Sequence, residues 1–157
     1  MGNRRKAREC ALQVLYDLEY NAVKTDADLD MRLADFFVCF PEPGTVEPET
    51  ETFTVRLVKG VLEHGDAIDA LIQRASTNWK LERMAVVDRN LLRLATYELK
   101  YVGDIPPKVS LNEAIEIAKR YGTEDSSAFI NGILDKISSL VHAFPSKAAP
   151  EATEDPA

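Results

Sequence analysis

Apolar residues recur three and four positions apart along most of the chain, the spacing that places them on one face of an α-helix. The segments with this spacing are residues 4–20, 29–40, 52–76, 87–102 and, as a pair of helices, 110–137. No segment shows the strict alternation that is typical of a half-buried strand. The pattern therefore predicts an all-α protein of about six to seven helices in two packed halves, divided near Trp79.

Breaks in the apolar pattern suggest where the parts of the chain meet. Residues 41–51 are rich in proline and glutamate and predict a surface loop, and the Pro/Ala/acid residues after 145 predict disorder. Trp79 lies in the connector 77–85, where we expect it to anchor the two halves in the core. The expected parts are an N-terminal helical subdomain at 1–78, a C-terminal one at 79–145 and a disordered acidic tail at 146–157.

The paired helices of 110–137 carry recognisable end signals. Ser110 and Glu113 have the S-x-x-E spacing of a capping box, which predicts a helix start at Ser110. Gly122 stands where a left-handed C-terminal cap would end that helix. Asp125 or Ser126 then follows as the N-cap of the next helix. These signals predict two helices joined at a tight corner.

Three glycines interrupt helical segments, where glycine costs about 1 kcal/mol relative to alanine. Gly60 and Gly65 lie inside the segment 52–76, and close approach of another helix, or a kink at Gly65, would explain them. The pair Asn131–Gly132 falls in the middle of the last helix. Its small and polar groups indicate either close helix packing or contact with a partner.

Charge is distributed unevenly, although the formal net charge is −7. The basic residues near the N-terminus are Arg4, Arg5, Lys6 and Arg8. One strip of the first helix holds, at helical spacing, Arg5, Arg8, Leu12 and Tyr16. Guanidinium groups bind phosphates and a tyrosine ring can stack on a base, so the strip suits a nucleic-acid strand. The alternative is a solvated helix flank with one amphipathic tyrosine.

The sequence shows no pattern of catalytic or metal-binding residues. His64 and His142 are the only histidines, and neither has a second ligand at helical spacing. Cys10 and Cys39 lie in apolar segments, so we expect reduced core residues of a cytoplasmic protein, with a disulfide as the alternative. No secretory signal or membrane span is indicated. We expect a binding protein without enzymatic activity, metal or cofactor. It would either bind RNA or act as a helical protein-interaction module or homodimer without RNA affinity.

Five sequence motifs carry a family resemblance: RRKARECALQVLY, WKLERM, VVDRNLLRLATYEL, IPPKVSLNEAIEIAK and GTEDSSAFINGILDKI. With these motifs the chain resembles the NusB family of bacterial transcription antitermination factors, over residues 4–20 and nearly all of 78–137. The resemblance implies an all-α fold of two helical subdomains. It also implies a place in RNA polymerase antitermination complexes on ribosomal RNA operons. There the family pairs with NusE, which is also a ribosomal protein, and the pair binds a single-stranded boxA RNA element.

Site residues follow from the resemblance by position. It implies that the residues facing RNA are Arg4, Arg5, Lys6, Arg8, Tyr16, Asp125 and Phe129. It places NusE near Asp88 and Arg89. Ala128 stands where some relatives have lysine, which implies weaker RNA contact there. Phe129 has two interpretations, since an exposed ring would stack on a base and a buried ring would pack the last helix.

Overall fold

The computed structural model describes residues 2–39 and 46–142. Its α-helices are α1 (Gly2–Tyr20), α2 (Asp26–Cys39), α3 (Pro48–Glu63), α4 (Gly65–Ala75), α5 (Val86–Tyr101), α6 (Pro107–Tyr121) and α7 (Ser126–Val141), with a 3-10 turn at Leu81–Arg83. The described residues contain no strand, and the predicted all-α class is confirmed. Phe40, residues 41–45 of the predicted loop and the acidic tail lie outside the described residues.

Helix α5 forms the centre of the fold. It packs against α1, α3, α4, α6 and α7, and its residues 94–99 are buried on every side. A helix buried all round is typical of the middle of a core. One hydrophobic cluster includes side chains from all seven helices and so extends through both predicted subdomains. The subdomain boundary at residue 78 stays a prediction.

The predicted helical segment 52–76 is divided at His64 into two helices, next to Gly65, where a kink is one of the two explanations for the interior glycines. His64 caps both α3 and α4, with φ −105° and ψ 22°. Its ring stacks on Tyr101 at 4.0 Å between centroids. Helix α3 begins at Pro48, because proline suits the first helical turn. The last residues of the predicted loop are therefore helical.

The predictions for Gly60, Gly122 and Gly132 can be compared with the backbone angles and with the atoms that an added Cβ would meet. A Cβ on Gly60 would collide with the Tyr97 ring, which confirms a close helix approach there. Gly122 has φ −95° and ψ −169°, so the predicted left-handed cap is wrong. Glycine is needed there for another reason, since a Cβ would collide with the Ser126 side chain. A Cβ on Gly132 would meet nothing within 4 Å, so the close-packing explanation of that glycine is wrong.

The predicted capping box at Ser110 is also wrong. Helix α6 begins one turn earlier, at Pro107. Ser110 is buried and its hydroxyl donates to Glu98 at 2.8 Å. Glu113 accepts two hydrogen bonds from Arg5 of α1. Both side chains therefore join helices and do not cap one.

Two residues expected in the core lie at the surface. Trp79 is 53% exposed, and Cys39 is an exposed free thiol. Cys10 is buried as expected, and burial raises the pKa of its thiol to about 11. The described ranges contain no cluster of three metal-ligating side chains, and none of their helices is long and apolar enough to cross a membrane.

Candidate nucleic-acid interface

The exposed positive charge of α1 lies at its N-terminal end. Arg4 is exposed and its guanidinium carbon lies 4.3 Å from the centroid of the Phe53 ring of α3. Arg5 is exposed and Lys6 is half-buried. The cation–π contact holds Arg4 against α3 and leaves its charge at the surface. This end of α1 therefore presents cations to solvent, as the sequence predicted.

Arg8 is buried, and the prediction that it lies on a solvated strip is wrong. Its side chain is 5% exposed, and it donates from Nε and Nη2 to the two carboxylate oxygens of Glu98 at 2.7 and 2.8 Å. Leu12, one turn further, is also buried. The strip therefore divides: Arg5 and Tyr16 lie outside, whereas Arg8 and Leu12 belong to the interior.

Alternating charges connect the surface to this buried pair. Arg5 binds both oxygens of Glu113 at 2.8 Å, and Arg8 Nη1 lies 3.6 Å from the same carboxylate. The hydrogen bonds with Arg5 lower the pKa of Glu113, and those with Glu113 raise the pKa of Arg5. The network fastens α1 to α5 and α6 and so determines where the exposed arginines lie. One sequence signal for it is Glu98, an acid among apolar neighbours.

Two exposed tyrosines continue the outer face of α1. Tyr16 is 44% exposed and Tyr20 is 64% exposed. Their ring centroids are 5.5 Å apart with an interplanar angle of 51°. The proximity of Tyr16 is the largest cause of a raised pKa at Tyr20. The structure thus adds Tyr20, one turn after Tyr16, to the aromatic surface that the sequence predicted.

The corner between α6 and α7 begins beside α1. Arg120 in the last turn of α6 contacts Glu9 of α1 at 3.3 Å. Asp125 follows at the N-cap position of α7, exposed and without a side-chain capping bond. Phe129 is half-buried: it packs against the core and lies edge-on to Trp79, with centroids 6.0 Å apart. The packing interpretation of Phe129 is therefore supported for its buried part, and base stacking by its exposed part stays a prediction.

The two residues expected to face a protein partner differ in their contacts. All three guanidinium nitrogens of Arg89 bind within the protein, two to Glu19 and one to the carbonyl of Met84. Asp88 is half-buried, and in the described part of the chain its Oδ1 has no hydrogen-bond partner. That oxygen is also closed off from solvent, so a partner cannot reach it directly, and only the surface part of the half-buried Asp88 side chain is a candidate for an external contact.

The candidate interface consists of the residues named on α1 and on the α6–α7 corner, two elements that the Arg120–Glu9 contact joins. It offers cations for phosphates, aromatic faces for bases and an exposed carboxylate that can accept a hydrogen bond from a ribose hydroxyl. Its positive charge is local, in a chain that is acidic overall.

Comparison with known proteins identifies relatives along most of the chain. The model of the NusB family matches residues 5–139. A transcription antitermination protein NusB from Myxococcus xanthus is 50% identical, covering 87% of this chain and 95% of its own. The solved T. maritima NusB is 41% identical with a TM-score of 0.75, over 87% of this chain and 90% of its own. A solved complex of the antitermination factors NusB and NusE with dsRNA has a chain of the same fold, at 23% identity and a TM-score of 0.73 over 89% of this chain and 98% of its own.

Proposed function

This chain belongs to the NusB family, and we propose on that premise that it is a cytoplasmic transcription antitermination factor that binds boxA RNA together with NusE. The observation that carries the proposal is the family match over residues 5–139, with relatives at 50% identity that are named transcription antitermination protein NusB. The protein acts by binding, and its surface supplies contacts and not catalysis.

The RNA face consists of the exposed end of α1 and the neighbouring corner. Arg4, Arg5 and Lys6 bind phosphates, and Tyr16 stacks on a base. Asp125 and the exposed part of Phe129 extend this face along the corner. Arg8 is left out of the RNA face because its guanidinium is buried against Glu98, whereas the side chain of Arg5 stays exposed beside Glu113.

The protein face lies at the start of α5. Asp88 is half-buried, and we propose that the part of its side chain that remains at the surface contacts NusE. Support comes from the solved complex of NusB and NusE with dsRNA, whose NusB-like chain shares this fold. Arg89 is left out of the partner surface, since its contacts with Glu19 and Met84 occupy it.

The test is RNA binding by the wild type and by the double variant Arg4→Ala/Arg5→Ala, with and without NusE. Labelled single-stranded boxA RNA and a duplex of the same sequence serve as probes at several salt concentrations. For single-stranded RNA, log Kd should rise linearly with the logarithm of the salt concentration. The slope should be smaller by up to about 1.4 in the double variant, because each of the two arginines contributes up to about 0.7. NusE should tighten binding of the single strand in both proteins.

A charge-matched control is Lys24→Ala/Lys59→Ala, which removes two cations from the separate cleft between α2 and α3. It should bind RNA like the wild type. Salt-insensitive binding, or equal losses in the two double variants, would show that the proposed RNA face is wrong. Absence of RNA binding with NusE present would favour the protein-interaction module or homodimer.

A further inference from the structure

A small groove lies between the connector after α4 and the exposed side of α7. It has a volume of about 220 Å³, and its walls include Trp79, Phe129, Gly132 and Lys136. The Trp79 and Phe129 rings are nearly perpendicular, with an interplanar angle of 83°. The groove is smaller than the roughly 300 Å³ at which pockets for drug-sized ligands begin. It has room for one planar ring system.

Hydrogen bonds to the backbone hold the exposed tryptophan in place. The Gln73 side chain donates to the carbonyls of Ser76 and Trp79 at 3.2 and 2.7 Å and accepts from the amide of Leu81 at 3.0 Å. The Ser76 hydroxyl also donates to the Trp79 carbonyl at 3.3 Å. Trp79 is 53% exposed, and the backbone before and after it is held by these hydrogen bonds. Such preorganisation lowers the entropy cost of binding a ligand there.

Gly132 leaves one wall of the groove open. It lies in the middle of α7, where alanine would be about 1 kcal/mol more favourable. No atom stands within 4 Å of its missing Cβ, so close packing does not require glycine. A side chain at this position would enter open space at the edge of the groove, which Gly132 lines. The absence of a side chain therefore preserves space that the protein itself does not use.

We propose that this groove is a subsite for one unpaired RNA base, which stacks on the Trp79 ring and meets Phe129 edge-to-face. Lys136 adds a cation for a neighbouring phosphate. The inference rests on the proposed RNA function and extends the RNA face past Phe129 onto Trp79, Gly132 and Lys136. A single base is the occupant because the groove is small, aromatic and bordered by a cation, the combination that single-strand binders use.

Trp79 is the only tryptophan in the chain, so its fluorescence reports on the groove directly. Full-length protein is titrated with labelled single-stranded boxA RNA, and tryptophan fluorescence and RNA anisotropy are recorded together. We expect RNA to quench Trp79 with the same Kd that anisotropy gives. Trp79→Ala should weaken binding about 5- to 150-fold, and Trp79→Phe should restore part of the loss.

Two further measurements separate stacking from other causes of quenching. Gly132→Leu should weaken RNA binding by filling the groove, whereas Ala67→Leu adds bulk at an exposed position of α4 and should not. A series of RNAs, each with one abasic site, removes one base at a time and keeps every phosphate. One RNA of the series should fail to quench Trp79, while the salt dependence of its binding stays that of the intact RNA.

The outcomes distinguish this inference from the proposed function. Full RNA affinity in Trp79→Ala and Gly132→Leu, together with no quenching of Trp79 in the wild type, would overturn the groove and leave the function standing. If NusE without RNA quenches Trp79, and no abasic site in the RNA changes the quenching, the groove is a contact for NusE and the inference is overturned. Absence of RNA binding by the wild type with NusE present would overturn both.

Discussion

At the residue scale, two arginines three positions apart have opposite environments. Arg5 binds Glu113 at the surface, while Arg8 is buried against Glu98. Both carboxylate oxygens of Glu98 accept hydrogen bonds from Arg8, and Oε1 also accepts one from the Ser110 hydroxyl. Breaking such a pair leaves an uncompensated buried charge, whereas loss of an exposed pair costs little.

Arg8→Met should therefore destabilise the protein by about 3–5 kcal/mol, because Glu98 then remains buried without its cation. Urea unfolding at pH 7 measures the loss. Arg5→Ala is the control and should cost less than about 1 kcal/mol. Replacing both partners, as Arg8→Met/Glu98→Leu, should recover much of the stability. A cost for Arg8→Met no larger than that for Arg5→Ala would contradict this account of the pair.

At the element scale, two helices contain an interior glycine for different reasons. Gly60 of α3 faces the Tyr97 ring of α5, which occupies the space of a Cβ. Gly132 of α7 faces an open groove. Helix propensity favours alanine at both positions, and only the tertiary contacts separate them.

The same substitution should thus have opposite effects at the two glycines. Gly60→Ala should destabilise the protein by about 1–3 kcal/mol, because α3 or the Tyr97 ring must move. Gly132→Ala should stabilise it by about 0.5–1 kcal/mol through helix propensity. Thermal and urea unfolding of the two variants measure both signs. A destabilised Gly132→Ala would mean that the groove is not open in the folded protein.

At the scale of the whole molecule, Glu19 joins the N-terminal helix to the central one. It accepts hydrogen bonds from Arg89, Asn90 and Arg93 of α5. Arg93 also forms a salt bridge with Asp69 of α4, with Nε 2.9 Å from Oδ1. The Arg89 guanidinium is the main cause of a pKa of about 2 at Glu19, below its ordinary value of 4.5. Three helices are therefore linked through two carboxylates, those of Glu19 and Asp69, which share Arg93.

Because the pKa of Glu19 is lower in the folded protein than in the unfolded chain, its ionisation stabilises the fold at any pH above the unfolded-state pKa. This stability is lost as the pH falls through the folded-state pKa. Glu19→Gln should cost about 1–2 kcal/mol at pH 7, since the carboxylate is partly solvated. The difference from the wild type should shrink between about pH 5 and pH 2. Urea unfolding across this range is the measurement, with the more exposed Asp17→Asn as control. A difference that does not change with pH would exclude ionisation of Glu19 as the cause.

Hydrophobic periodicity by itself determined the helices and most of their buried faces. In α7, for example, Ile130, Leu134 and Ile137 recur at helical spacing and are fully buried. Periodicity depends on contacts within one helix, so it can be read from neighbouring positions. The family motifs likewise lie in short local stretches, so the amino-acid sequence was enough to indicate the family.

Only the tertiary structure decided which polar and small residues are available to a partner. Arg8 and Arg5 look alike in the sequence, and the burial of Arg8 depends on Glu98, which lies 90 positions away. Trp79 is apolar, yet the connector holds it at the surface through Gln73. Gly132 is equally consistent with close packing or an open groove until its neighbours are placed. These outcomes depend on contacts between distant segments, which local spacing does not contain.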